Sequence, residues 1–120
     1  MNLPIGVFNC GSVVWIDYCF DDAVGKSKSR PAIIIDFDED TTLVVVLKVT
    51  THEPRTCFDY VVKDYKSAGL KQGSVVRCNC AMRINDTLKC RKVGDLPRGE
   101  LKFITIMYRL ALSDNCVTFV

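Results

Sequence analysis

The chain has 120 residues, 48% of them hydrophobic and 25% charged, with a formal net charge of +2. That length sets the expectation of a single domain spanning residues 1–120, able to bury an ordinary core without disulfides or a metal. The composition excludes a largely disordered tail, and the mild charge excludes nucleic-acid binding by bulk electrostatics while leaving room for a local basic patch.

Residues 1–16 carry no charge, yet they include Asn2, Pro4, Gly6, Asn9, Gly11 and Ser12. With no basic stretch and no continuous apolar run, they are not expected to act as a signal peptide. No apolar run in the chain is long enough for a membrane span, so a cytoplasmic protein is expected.

Residues 12–18 (SVVWIDY) are β-branched and aromatic and open a sheet, with Trp15 and Tyr18 read as core in preference to rings that stack on bases. Residues 21–30 form a polar loop that ends on Lys26, Lys28 and Arg30. Residues 31–37 (PAIIIDF) are a continuous apolar run, the pattern of a strand buried on both faces. An acidic turn at 38–40 leads to a second buried strand at 43–49, and 51–56, with Pro54, is an exposed loop. Further strands are expected at 57–62 and 74–80, joined by a polar connection with two glycines. Residues 84–93 suggest a short hairpin region.

After Gly94-Asp95-Leu96-Pro97 the period changes. Leu101, Ile104, Tyr108 and Leu112 recur at three and four residues, widened by Met107 and Leu110, which predicts a helix over 98–112. Asp95 is expected to cap it, with Pro97 in its first turn. Residues 117–120 offer a last strand. The reading is mostly β (α+β): a small barrel-like sheet with a C-terminal helix.

The seven cysteines are odd in number and include no CxxC pair. A zinc site needs about four ligands, and the chain has one histidine, His52. Reduced, mostly buried thiols are therefore expected, and no metal or other cofactor. One histidine on an exposed loop cannot supply both the acid and the base of a two-histidine ribonuclease, so His52 is read as solvated.

Several segments carry a resemblance in the right order: Gly11-Ser12-Val13-Val14-Trp15-Ile16-Asp17, Ser29-Arg30-Pro31-Ala32-Ile33-Ile34 and Val46-Leu47-Lys48-Val49-Thr50-Thr51. Gly69-Leu70-Lys71, Ser74-Val75-Val76-Arg77-Cys78-Asn79 and Lys92-Val93-Gly94-Asp95-Leu96 continue it. Over residues 11–112 the chain resembles the PemK/MazF family of toxins. The resemblance implies an SH3-like small barrel of CcdB/PemK type with a C-terminal helix, acting as a homodimer. It implies metal-independent cleavage of single-stranded RNA at short sequence motifs, with a cognate antitoxin as partner.

By the same resemblance Arg30 falls on the catalytic arginine of the Arg-Pro motif, and Thr50 on the threonine that closes the third strand. Arg77 and Asn79 fall where some members carry a catalytic Arg-x-Asp. Lys26, Lys28, Thr51 and Asn79 are the expected RNA contacts, and Arg30, Thr50 and Arg77 the expected catalytic set. Two departures stand out. Asn79 replaces a carboxylate, and an amide cannot usefully accept a proton. The family's Arg-Thr-Ile-Asp appears as Met82-Arg83-Ile84-Asn85, which implies a different activity or sequence preference.

The chemistry suits these residue types. RNA carries its own nucleophile, the 2′-hydroxyl, so the protein must chiefly position the strand and manage charge. A guanidinium meets developing phosphoryl charge with two parallel hydrogen bonds, and a threonine hydroxyl can hold a phosphate oxygen. Two other readings stay open: a gyrase-inhibiting CcdB-type toxin, and a PemK-like barrel that binds RNA or protein without cleaving. The chain end, Cys116-Val117-Thr118-Phe119-Val120, lacks the tryptophan that the gyrase-inhibiting relatives use.

Overall fold

The computed structural model describes residues 8–18, 28–37, 43–84 and 90–119. Among these residues seven strands form one mostly antiparallel sheet: β1 (Ser12–Tyr18), β2 (Lys28–Phe37), β3 (Val44–Thr50), β4 (Asp59–Val61), β5 (Val75–Ile84), β6 (Arg91–Asp95) and β7 (Thr118–Phe119). The sheet order is β4-β5-β3-β2-β1-β6, with β7 added to β5 in parallel. One helix, α1 (Arg98–Ser113), lies between β6 and β7 in the chain. Among the described residues no helix is long and apolar enough to cross a membrane.

The continuous apolar runs bury both faces of the central strands. Ile33, Ile35, Val45, Leu47 and Val49 pack on the helix side with Ile104 and Tyr108. Ala32, Ile34, Val44 and Val46 form a second cluster with Val14 and Ile16 on the other face. Alternation along a strand requires this: neighbouring side chains point to opposite faces, so a run with no polar member needs cover on both.

Four expectations are corrected. β2 begins at Lys28 rather than after Arg30, because Lys28, Ser29 and Arg30 already pair with Tyr18, Asp17 and Ile16 of β1. The strand expected to end at Cys80 runs on to Ile84. Its partner β3 passes from Leu47, opposite Ala81, to Lys48, opposite Arg77, so Cys78, Asn79 and Cys80 form a bulge that breaks the two-residue period. Asp95 does not cap α1: it ends β6 opposite Ser12, its carboxylate 3.1 Å from the Lys92 ammonium, and Pro97 holds the N-cap position. Helix burial centres on Glu100, Ile104, Tyr108 and Ala111. Leu110 therefore falls on the outer side with Phe103 and Ile106, and Leu112 is exposed at the edge.

The six described cysteines are thiols, but only Cys78 is buried, whereas Cys10, Cys57 and Cys116 are exposed. This corrects the expectation of mostly buried thiols. The acidic turn at 38–40 and the side chain of Tyr18 lie outside what is described.

Two glycines lock the connection between β4 and β5 against β6. Gly69 has φ +70, and a Cβ there would fall 2.4 Å from the carbonyl oxygen of Val93. A Cβ on Gly94 would meet the Ala68 carbonyl oxygen at the same distance. Backbone lies directly against backbone at both positions, and only hydrogen in place of a side chain fits.

Candidate active site

β2 and β3 run together only as far as Ala32 and Lys48. Beyond that point β3 keeps its pairing to β5, with Thr50 opposite Val75. β2 keeps its pairing to β1, with Pro31 opposite Trp15 and Arg30 opposite Ile16. The two strands part, and at their ends lies a cavity of about 480 Å³. Pro31 stands at the parting point with no N–H to offer a ladder.

Trp15 of β1, Arg30 and Pro31 of β2, and Val49 and Thr50 of β3 line this cavity. Thr51 and His52, just past β3, extend one wall; Gly69, Leu70, Lys71 and Ser74 build another. The His52 N–H donates to Thr50 Oγ1 at 3.2 Å, a short turn that sets the threonine hydroxyl and the start of the loop together. An oxygen used as acceptor in this way is well placed to donate its own hydrogen to a ligand.

Both walls are pinned from behind by carboxylates that do not line the cavity. The Asp59 side chain is fully buried. It accepts the Arg55 N–H at 2.8 Å, the Thr56 N–H at 3.3 Å and the Arg77 guanidinium at 2.8 Å. It thereby folds back the loop that carries His52. Glu100, in the first turn of α1, accepts the Lys63 N–H at 2.6 Å, the Asp64 N–H at 3.0 Å and the Tyr60 hydroxyl at 2.9 Å. It anchors the start of the connection that leads to Lys71. Ser74 closes that connection, its hydroxyl and its N–H both donating to the Lys71 carbonyl.

Burial and the neighbouring Glu100 hold the Tyr60 phenol up at about 12. Burial, with a smaller push from the Asp59 charge, raises the Cys78 thiol to about 12. Neither group is a nucleophile at neutral pH.

Among the described lining residues the charged side chains are Arg30 and Lys71, and no carboxylate is present. Cations and hydroxyls around an open cavity suit an anionic backbone such as a phosphodiester.

The structure brings Arg30, Thr50 and Thr51 to one cavity. Arg77 is not in its lining; its guanidinium is committed to Asp59. Asn79 sits half-buried in the β5 bulge and is also absent from the lining. Lys26 and the side chain of Lys28 lie outside what is described. Trp15, read as core, is half-buried and faces the cavity instead. His52 is exposed, as expected, but it lines the cavity. Lys71 was not singled out from the sequence; its signal was the Gly69-Leu70-Lys71 segment of the resemblance.

A family model described as PemK-like, MazF-like toxin of type II toxin-antitoxin system matches residues 9–110. The fold is similar to a MazE-MazF complex from Deinococcus radiodurans, with TM-score 0.70, 17% identity, and coverage of 89% of this chain and 97% of that one. It is similar to an endoribonuclease in complex with its cognate antitoxin from a mycobacterial species, with TM-score 0.66, 16% identity, and coverage of 87% and 93%. The Mycobacterium tuberculosis toxin MazF-mt6 superposes with TM-score 0.60 at 21% identity, covering 88% and 98%. No curated protein matches the sequence.

Proposed function

Because the chain belongs to the PemK-like, MazF-like toxins of type II toxin-antitoxin systems, we propose that it is an endoribonuclease that cleaves single-stranded RNA without a metal. The observation that carries this reading is the meeting of Arg30 and Thr50 at the cavity where β2 and β3 part, with Lys71 beside them and no carboxylate among the described lining residues. The 2′-hydroxyl attacks the adjacent phosphorus, and charge develops on the phosphoryl oxygens. Arg30 clamps those oxygens and Thr50 donates a hydrogen bond to the same group. Lys71, Thr51 and the basic segment holding Lys26 and Lys28 hold the flanking backbone. Trp15 offers a ring on which a base can stack. Arg77, through Asp59, holds the loop at residues 51–58, and Asn79 contacts the strand outside the cavity.

The protein acts as a homodimer in the cytoplasm and is silenced by a cognate antitoxin. Antitoxin complexes among its structural relatives support the second partner. The exposed stripe of Phe103, Ile106 and Leu110 on α1 supports a further protein contact.

The test is cleavage of a mixed single-stranded RNA in excess EDTA, repeated with 2′-deoxyribose at the cut position. Attack by the substrate's own hydroxyl leaves the rate unchanged by EDTA and yields a 2′,3′-cyclic phosphate opposite a 5′-hydroxyl. The deoxy strand binds but stays whole. Cleavage that EDTA abolishes, or cleavage of the deoxy strand, overturns the mechanism.

A further inference from the structure

Transesterification by a 2′-hydroxyl needs three services: a home for the phosphoryl charge, a proton for the departing oxygen and an acceptor for the hydroxyl proton. The cavity is rich in the first two and poor in the third. Arg30 and Lys71 carry protons and have no lone pair to take another. Trp15 only donates. The hydroxyls of Ser29, Thr50, Thr51 and Ser74 accept hydrogen bonds but are not bases at neutral pH. The two carboxylates behind the walls are spent elsewhere: Asp59 on two backbone N–H groups and Arg77, Glu100 on two backbone N–H groups and Tyr60. Where the family resemblance places an aspartate, this chain has Asn79, which cannot fill the gap.

Among the described lining residues, one side chain can. His52 stands in the cavity wall with Thr50, Thr51 and Arg30. Imidazole is also the side chain suited to proton exchange near neutral pH. Its backbone is held twice over: its own N–H is tied to Thr50 Oγ1, and its loop is held from behind by Asp59. We propose that His52 is the general base of this site and accepts the proton of the attacking 2′-hydroxyl. This rests on the RNA-cleaving reading above and adds to it the residue that activates the nucleophile.

The step balances without another reagent. His52 takes the 2′-hydroxyl proton as the O2′–P bond forms and the P–O5′ bond breaks. The departing 5′-oxygen takes a proton from solvent, and the imidazolium releases its own to solvent. The charged groups from other elements that share the cavity lining with His52 are Arg30 of β2 and Lys71 of the β4–β5 connection. Glu53 and Arg55, both exposed, follow it on its own loop.

The test uses the full chain, the mixed single-stranded RNA of the previous section and excess EDTA. His52→Ala should slow cleavage about 10²- to 10⁴-fold, the usual range for a lost general base. Its thermal melting should match the wild type, since the side chain is exposed. Wild-type rate should climb with pH to a plateau, as a step that needs an unprotonated base does, and His52→Gln should remove that limb while leaving RNA affinity nearly unchanged. Added imidazole should restore cleavage to His52→Ala in proportion to its unprotonated fraction. A structural role would give no such rescue. An active wild type whose His52→Ala variant keeps rate and profile overturns this inference and leaves the RNA-cleaving reading standing. Rescue that follows the imidazolium fraction makes His52 the acid and overturns it as base. A wild type inert on RNA at every pH overturns both.

Discussion

Two polar regions lie within one loop's length of each other and are built on opposite terms. In the cavity, Arg30, Thr50, His52 and Lys71 face an open space with no carboxylate among them. Behind its walls, Asp59 and Glu100 are each surrounded by donors from backbone and side chain. The lining cations border the open space, and the two carboxylates behind it are turned inward to hold loops. Charge type alone does not decide a residue's place, since Arg77, a cation, stands with the carboxylates behind the walls.

The sharpest way to break this contrast is at Arg30. Arg30→Ala should cost about 3–4 kcal/mol of transition-state stabilisation, roughly 10²–10³ in rate, with no matching loss in thermal melting. Full activity in that variant would remove Arg30 from the site. Glu100→Ala should behave oppositely. It strands two backbone N–H groups and the Tyr60 hydroxyl, and should lower stability by about 3 kcal/mol in urea unfolding. An unchanged midpoint would mean that Glu100 does not anchor the connection.

The ion pair between Arg77 and Asp59 tests which side of the contrast Arg77 belongs to. Arg77→Ala leaves a buried carboxylate without its cation and should cost about 3 kcal/mol, whereas a double Arg77→Ala, Asp59→Ala variant should cost less than the two singles together. If the double variant is stable yet cleaves RNA as slowly as Arg77→Ala, the guanidinium also touches the substrate.

The interior has an alkaline limit. Cys78 and Tyr60 hold their protons more tightly folded than unfolded, both up at about 12 against ordinary values of 9.0 and 10.0. Their contribution is complete below the unfolded values and is lost as pH rises toward the folded ones. Stability should therefore begin to fall above pH 9, with buried Cys78 contributing a slope of about 1.4 kcal/mol per pH unit. Urea midpoints across that interval should show the decline, and Cys78→Ala should flatten it. The smallest effect is at Asn79, which stands outside the cavity lining. Asn79→Ala should weaken RNA binding more than it slows the saturated reaction, with a total change of about 0.5 kcal/mol. A loss of saturated rate at unchanged affinity would instead have Asn79 orienting the nucleophile.

Much of the fold was written in local pattern. PAIIIDF and LVVVLKV read as strands covered on both faces because each holds at least four successive apolar residues, with Asp36 and Lys48 near their ends, and the α1 residues repeat at helical spacing. The continuation of β5 was hidden because Cys78, Asn79 and Cys80 bulge out of register, so no two-residue period survives there. The start of β2 was hidden because KSR has loop composition, and it is pairing with β1 that makes it strand. Helix burial shifted because Glu100, polar in composition, is drawn inward by the donors it serves. At the site, Arg30 and Thr50 were legible as motif residues on adjoining strands. Lys71 and Trp15 were not, because what gathers them is the parting of β2 from β3, a tertiary event without a local mark. The partner of Arg77 was equally invisible, since Asp59 lies eighteen positions away on a different strand.

The backbone-to-backbone contact at Gly69 and Gly94 carries a consequence for how this cavity can change over generations. A mutation at either glycine must push two main chains apart, and the wall would move with them, so selection holds that frame fixed. Lys71, two residues past Gly69 along the wall, is exposed on the same frame, whereas Leu70 between them also packs against the core. Descendants can therefore exchange the side chain at Lys71 and drift in what they recognise without rebuilding the architecture that presents it.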